Sequence, residues 1–180
     1  MKNQVTRLLI LVAGLTATTT AFARLGETFA GCTRRYGRAV STRPSGNEVV
    51  SRYRKGDYNV KVVFARGRAA EITYSRRSGT LLTNGDLNLF LKVNAESSKW
   101  VKVDQLAEWK AANKGREKDE RCQEELMRDL ASFYLWSRQD GLAEASYDRE
   151  NGELFICDAQ RLLPEQKPEP PVEPDNPLGF

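Results

Sequence analysis

The chain of 180 residues contains no histidine. That absence removes the Ser-His and Cys-His nucleophile pairs, an imidazole general base and the usual histidine ligands of catalytic zinc. Cysteine is scarce too. Cys32, Cys122 and Cys157 stand at spacings that make no zinc site. There is no G-x-x-x-x-G-K phosphate loop and no G-x-G-x-x-G turn. Acidic residues cluster only as neighbours of surface type, such as Asp119-Glu120 and Glu124-Glu125. These gaps point away from an enzyme and from any cofactor or metal. The alternative is a hydrolase of envelope glycan or peptide, using carboxylates that only the fold would bring together.

Long apolar runs are also missing. Leu8 to Leu15 is the longest, well short of the roughly 20 residues that span a bilayer. Lys2 and Arg7 precede it and Ala21-Phe22-Ala23 follows, the three parts of a secretory signal. Residues 1–23 are therefore expected to be a signal peptide cleaved near Ala23. The mature chain would be exported to the periplasm or beyond, with no transmembrane segment. Removing Lys2 and Arg7 lowers the formal charge of +4 by two.

Proline is concentrated at one end. Pro164 to Phe180 holds six of the seven prolines, with Glu165, Glu169, Glu173 and Asp175 against Lys167. Such a stretch cannot bury enough apolar surface to offset its ordering entropy, which predicts a disordered, polyproline-like acidic tail over 164–180. The remainder, 24–163, is long enough for one domain.

The first half is basic. Arg24 to Arg77 carries 13 Lys and Arg against Glu27, Glu48, Asp57 and Glu71. In an oxidising compartment three cysteines allow one bridge at most, in three pairings. Cys32 falls on the apolar stripe of the opening helix and reads as a buried thiol, leaving Cys122–Cys157 as the preferred bridge.

Leu25, Phe29, Cys32 and Tyr36 recur at helical spacing, with Gly26 or Thr28 to start the helix and Gly37 to stop it. "RPSGNE" reads as a loop. "VVSRYR", "YNVKVVF" and "AAEITYS" then read as three strands of a meander, with Tyr58, Val60, Val62, Phe64, Ala70, Ile72 and Tyr74 facing inward. Thr83 and Asp86 form a capping box opening a helix with Leu87, Phe90 and Leu91 inward, ending near Asn94. Lys99 to Val103 is a short strand. Asp104 caps a helix with Leu106 and Trp109 inward, and a longer helix spans 117–134 with Cys122, Leu126, Leu130 and Phe133 on one side. The turns Asp140-Gly141 and Asn151-Gly152 divide a second meander, and Gln160 to Leu163 adds a last helical turn. The expected class is α+β, an antiparallel sheet of two meanders with helices packed on one face.

The candidate binding residues are the cations flanking the first meander's turns: Arg52, Arg54, Lys55, Arg76 and Arg77. Interleaved tyrosines give the pattern a nucleic-acid look, but export makes nucleic acid an unexpected target. An anionic envelope component or an acidic protein surface fits better. Charges of this kind also discourage edge-to-edge strand pairing, without any ligand.

Leu25-Gly26-Glu27-Thr28, Cys32 and Arg35-Tyr36-Gly37, followed by Trp136, Asp140-Gly141 and Tyr147, resemble the marks of an uncharacterised group of small secreted bacterial proteins. That resemblance brings no activity. The order of helix and strands is also similar to small outer-membrane-assembly lipoproteins and to the β-lactamase-inhibitor protein. It implies a module that binds other proteins with a sheet face, although the acylated cysteine of the lipoproteins is absent here.

Overall fold

The computed structural model describes residues 24–115 and 119–159. The expected signal peptide, the turn at Gln160–Leu163 and the acidic tail lie outside them. The order of elements is α1 (Phe29–Tyr36), β1 (Ser41–Ser45), β2 (Glu48–Lys55), β3 (Tyr58–Ala65), β4 (Arg68–Arg76), α2 (Asn84–Val93), β5 (Trp100–Lys102), α3 (Gln105–Ala112), α4 (Glu120–Ser132), β6 (Phe133–Arg138), β7 (Ala143–Asp148) and β8 (Glu153–Asp158).

All eight strands form one antiparallel sheet, in the order β1-β2-β3-β4-β8-β7-β6-β5. Two meanders therefore meet where β4 pairs with β8, placing Ile72 opposite Ile156 and Tyr74 opposite Leu154. The fold is α+β, as the sequence predicts.

One sheet face carries the core. Tyr53, Val60, Val62, Phe64, Ile72, Tyr74, Leu154, Ile156, Ala145 and Tyr147 are buried on it. The expected helical cover comes from α1 and α2. Tyr36 of α1 packs on Tyr53, with ring centroids 5.3 Å apart, and Phe90 of α2 stacks on Tyr74 at 4.1 Å. Both helices are held by their caps. Thr28 Oγ1 accepts from the Gly31 amide, and Thr83 and Asp86 complete the capping box reciprocally. Fully buried Asn94 ties α2 to its surroundings, accepting from the Leu25 amide and donating to Tyr74 Oη and the Phe90 carbonyl. At the other end, α3 and α4 gather around Leu135 of β6, whose neighbours Tyr134 and Trp136 point to the opposite, core face.

Several details differ from the sequence reading. "RPSGNE" is not a loop. Ser41–Ser45 forms an edge strand paired with β2, and Gly46 (φ 59°) turns the chain back. Pro44 is tolerated because the outer side of β1 needs no donor. Ala69 rather than Ala70 is buried, because the ladder slips between Val63 and Phe64 and changes which residues face in. The helix of α1 begins at Phe29, so Leu25 is buried from a turn ahead of it. Leu106 is exposed, not inward, and Phe133 starts β6 instead of closing α4. Cys32 and Cys157 are buried, while the expected Cys122–Cys157 pairing involves a side chain outside those described. Among the described residues no helix is long and apolar enough to cross a membrane.

Candidate functional site

The residues of the two resemblance motifs have structural work. Gly26 adopts φ 77° and sends its amide to the Ala69 carbonyl at 2.7 Å, while the Ala69 amide returns to Glu27 O at 2.8 Å. Glu27 folds back over α1. Its carboxylate accepts from Arg35 Nε and approaches Cys32 Sγ. Gly31 leaves the space for it, since a Cβ there would lie 2.7 Å from Glu27 Cγ. Burial, reinforced by the Glu27 charge, pushes the Cys32 thiol up to about 12, so it carries no thiolate at neutral pH. Gly37, at φ 84°, ends the helix.

The second set is similar. Asp140 accepts from the Leu142 amide and from Arg138 Nε, which together hold its carboxyl below the ordinary range. Arg138 is buried and reaches the Asn94 carbonyl. Tyr147 Oη accepts from the Leu82 amide, and Trp136 packs against the core.

Three of the five candidate cations are likewise occupied. Arg76 forms a two-pronged ion pair with Asp86, through Nε at 3.1 Å and an Nη at 2.6 Å. Tyr58 Oη donates to the other Asp86 oxygen at 2.6 Å. Burial raises the Asp86 carboxyl, but the bonds from Tyr58, Thr83 and Arg76 outweigh it and bring it down to about 2. Lys55 Nζ donates to the Arg35 carbonyl near the end of α1, and Arg77 donates to Gly56 O in the β2–β3 turn. These three hold elements together.

Arg52 and Arg54 are different. They alternate with buried Tyr53, so both project from the sheet face opposite α1 and α2. Among the described residues neither guanidinium has an ion-pair or hydrogen-bond partner. Both line a groove of about 450 Å³ with Val40, Asn59, Lys61, Thr73, Ser75 and Glu153. The register explains the gathering. Arg52 lies opposite Lys61, itself opposite Thr73, and Arg54 lies opposite Asn59, itself opposite Ser75. Lys61 also reaches Glu71 at 3.4 Å. Thr73 Oγ1 is buried with no hydrogen-bond partner among the described residues.

Two cations directly opposite each other on neighbouring strands oppose folding slightly, by roughly 0.2–1 kcal/mol. Lys61 offsets this through Glu71; Arg52 does not. A bound anion would relieve both the repulsion and the unpaired guanidiniums. Among the described residues Glu153 is the one carboxylate lining the groove. The sequence reading missed Asn59, Lys61, Thr73, Ser75 and Glu153. The alternation that put Asn59 and Lys61 on the outer face was visible, but the cross-strand register that sets them beside Arg52 and Arg54 was not.

No protein-family model matches the chain, and no curated protein matches it. Among solved structures it is similar to a cysteine-rich secretory protein from Staphylococcus aureus subsp. aureus Mu50, at 10% identity and a TM-score of 0.39. That match covers 77% of this chain and 46% of the other, so the chain spans about half the length of the protein it matches.

Proposed function

We propose that the protein is an exported, non-catalytic binding module whose open sheet face holds an anionic envelope component or an acidic protein surface. The observation that carries this reading is the pair Arg52 and Arg54, unpartnered at a groove that also holds Lys61. Arg76, Arg77 and Lys55, by contrast, are spent on internal bonds and leave the list of contacts. Guanidiniums favour carboxylate and phosphate because their donors match two oxygens at once. The groove lining has hydroxyls and an amide, and its one aromatic residue, Tyr53, turns its ring to the core against Tyr36, which suits a hydrogen-bonding anion better than a stacked base or sugar.

The test is capture of the chain on immobilised polyglutamate and on an anionic polysaccharide, compared with a neutral polysaccharide. Capture that weakens between 50 mM and 500 mM salt, and that is lost in Arg52→Glu/Arg54→Glu, supports the reading. Equal capture of wild type and double variant would falsify it. Export is tested separately by fractionating cells for a chain beginning at Arg24.

A further inference from the structure

We propose that the groove takes an extended peptide segment presenting a carboxylate and a lysine four residues apart, with the carboxylate on Arg52 and Arg54 and the ammonium on Glu153. This rests on the anion-binding reading of the groove, follows its protein arm and adds a second, opposite charge to the ligand.

The groove is polarised. Its outward side chains stand in two rows across β2, β3, β4 and β8. Arg54 lies opposite Asn59, itself opposite Ser75, and Glu153 stands level with Ser75, one step past the pair of Tyr74 and Leu154. The parallel row holds Arg52, Lys61 and Thr73. Cations therefore occupy the β2 and β3 end and a carboxylate the β8 end, with Thr73 and Ser75 between them.

Each end is short of its counter-charge. Arg52 faces Lys61 across one ladder, and Glu153 faces Asp148 of β7 across another. Like charges directly opposite each other are unfavourable. Lys61 is answered by Glu71, and Asp148 by the amides of Glu150 and Asn151 and by Asn151 Nδ2. Glu153, like Arg52 and Arg54, has no ion-pair or hydrogen-bond partner among the described residues. The arginines do not serve it, because three strand separations put Arg54 about 14 Å away along the sheet. A polyanion lying along the groove meets repulsion at Glu153. A ligand with a cation at that end satisfies both ends.

An extended peptide has the matching interval. Its side chains at i, i+2 and i+4 share one face and span about 14 Å. An acid over Arg54 thus sets residue i+4 over Glu153 and residue i+2 about 7 Å along, between Asn59 and Ser75. That amide and hydroxyl make no side-chain hydrogen bond among the described residues and favour a small polar side chain between them. Thr73, beside Ser75 on the groove floor, holds a buried hydroxyl without a partner among the described residues. A crossing backbone carries donors and acceptors that can meet it once the threonine side chain turns outward.

The experiment titrates the ¹⁵N-labelled full chain, followed by NMR at 50 mM salt, with two end-blocked pentapeptides of one composition, Glu-Thr-Ser-Thr-Lys and Glu-Lys-Thr-Ser-Thr. The first is expected to bind at least about threefold more tightly, shifting the amides of Arg54, Asn59, Ser75 and Glu153. Glu153→Gln is expected to remove that preference while strengthening polyglutamate capture about twofold. Arg52→Glu/Arg54→Glu is expected to abolish binding of both peptides, with an unchanged thermal melt showing that the sheet is intact. Equal affinity of the two peptides for the wild type, or a preference that survives Glu153→Gln, overturns the two-charge ligand. Binding of neither peptide overturns it too. In each case salt-sensitive polyglutamate capture leaves the groove a simple anion site, and loss of that capture removes the anion-binding reading as well. Tighter binding of an anionic polysaccharide than of the spaced peptide, unaffected by Glu153→Gln, overturns the peptide in favour of a glycan.

Discussion

Replacing Asp86 by Asn removes one charge and leaves the shape of the side chain. In the wild type its two oxygens take hydrogen bonds from Tyr58 Oη, both Arg76 nitrogens and the Thr83 amide, and the side chain is largely buried. An amide can still accept from Thr83, but it turns an N–H₂ donor toward either Tyr58 or Arg76, both donors themselves. The carboxyl sits at about 2 in the fold against an ordinary 3.8. That difference corresponds to about 2 kcal/mol of stability at pH 7. Because the folded value is the lower one, this contribution is complete above the unfolded value and is lost as pH falls through the folded one. About 1 kcal/mol remains at pH 3 and a few tenths at pH 2. Asp140 and Asp148 are also depressed, so both proteins weaken in acid. The gap between them isolates Asp86. Urea unfolding followed by the fluorescence of Trp100, Trp109 and Trp136 measures that gap, expected as a midpoint shift of roughly 1 M at pH 7. A gap under about 0.5 kcal/mol at pH 7, or an equal gap at pH 7 and pH 3, would refute the reasoning.

Three further outcomes are expected. Gly31→Ala, an exchange in the first turn of α1 that on helix propensity alone would stabilise by up to about 1 kcal/mol, is expected to destabilise because the new Cβ meets Glu27 at 2.7 Å; denaturant unfolding reads the sign, and the penalty should vanish in a Glu27→Ala background. Tyr53→Phe removes a buried hydroxyl that has Thr33 and Ser51 nearby but makes no well-formed hydrogen bond among the described residues, so stability should stay within about 0.5 kcal/mol or rise, and a loss above about 1 kcal/mol would show that the hydroxyl is bonded to one of them. Cys32, its thiol near 12 and fully buried, should resist iodoacetamide at pH 8 in the native protein and react in guanidinium, as mass spectrometry of its peptide would show.

What could be read from the sequence depended on how local the cause was. The ends of α1 and α2 were legible because Thr28, Gly37, Thr83 and Asp86 act on backbone within a turn of themselves. The strands β2 to β4 were legible because alternation is a property of one segment. β1 was not: four of its five residues are exposed, it includes Pro44, and its pairing with β2 leaves no hydrophobic trace. The slip at Val63/Phe64 was equally invisible, since a bulge is decided between two strands. The exposure of Leu106 shows the reverse limit, an apolar position at helical spacing with no opposing element to cover it.

The candidate site follows the same division, and this bears on how its cations are sorted. Arg52 and Arg54 could be placed on the open face from the sequence, because Tyr53 between them belongs inside. Nothing local separated them from Arg76, which is equally basic and equally close to a tyrosine. The separation comes from Asp86, 10 residues away on a helix and brought over the end of β4 by the packing of Phe90 on Tyr74. A cation that reaches a buried carboxylate is a strut; one that finds only other cations across the ladder is unfinished within the chain. By that criterion Arg24, Arg34, Arg38, Arg43 and Arg66 are also without a side-chain partner among the described residues, and what sets Arg52 and Arg54 apart is the groove they share with Lys61. Reversing Arg76 should therefore cost stability first, whereas reversing Arg52 should cost binding and leave the melt in place. Charge-reversal variants read by both assays separate the two, and the same pattern of loss at both positions would remove the distinction on which the groove is assigned.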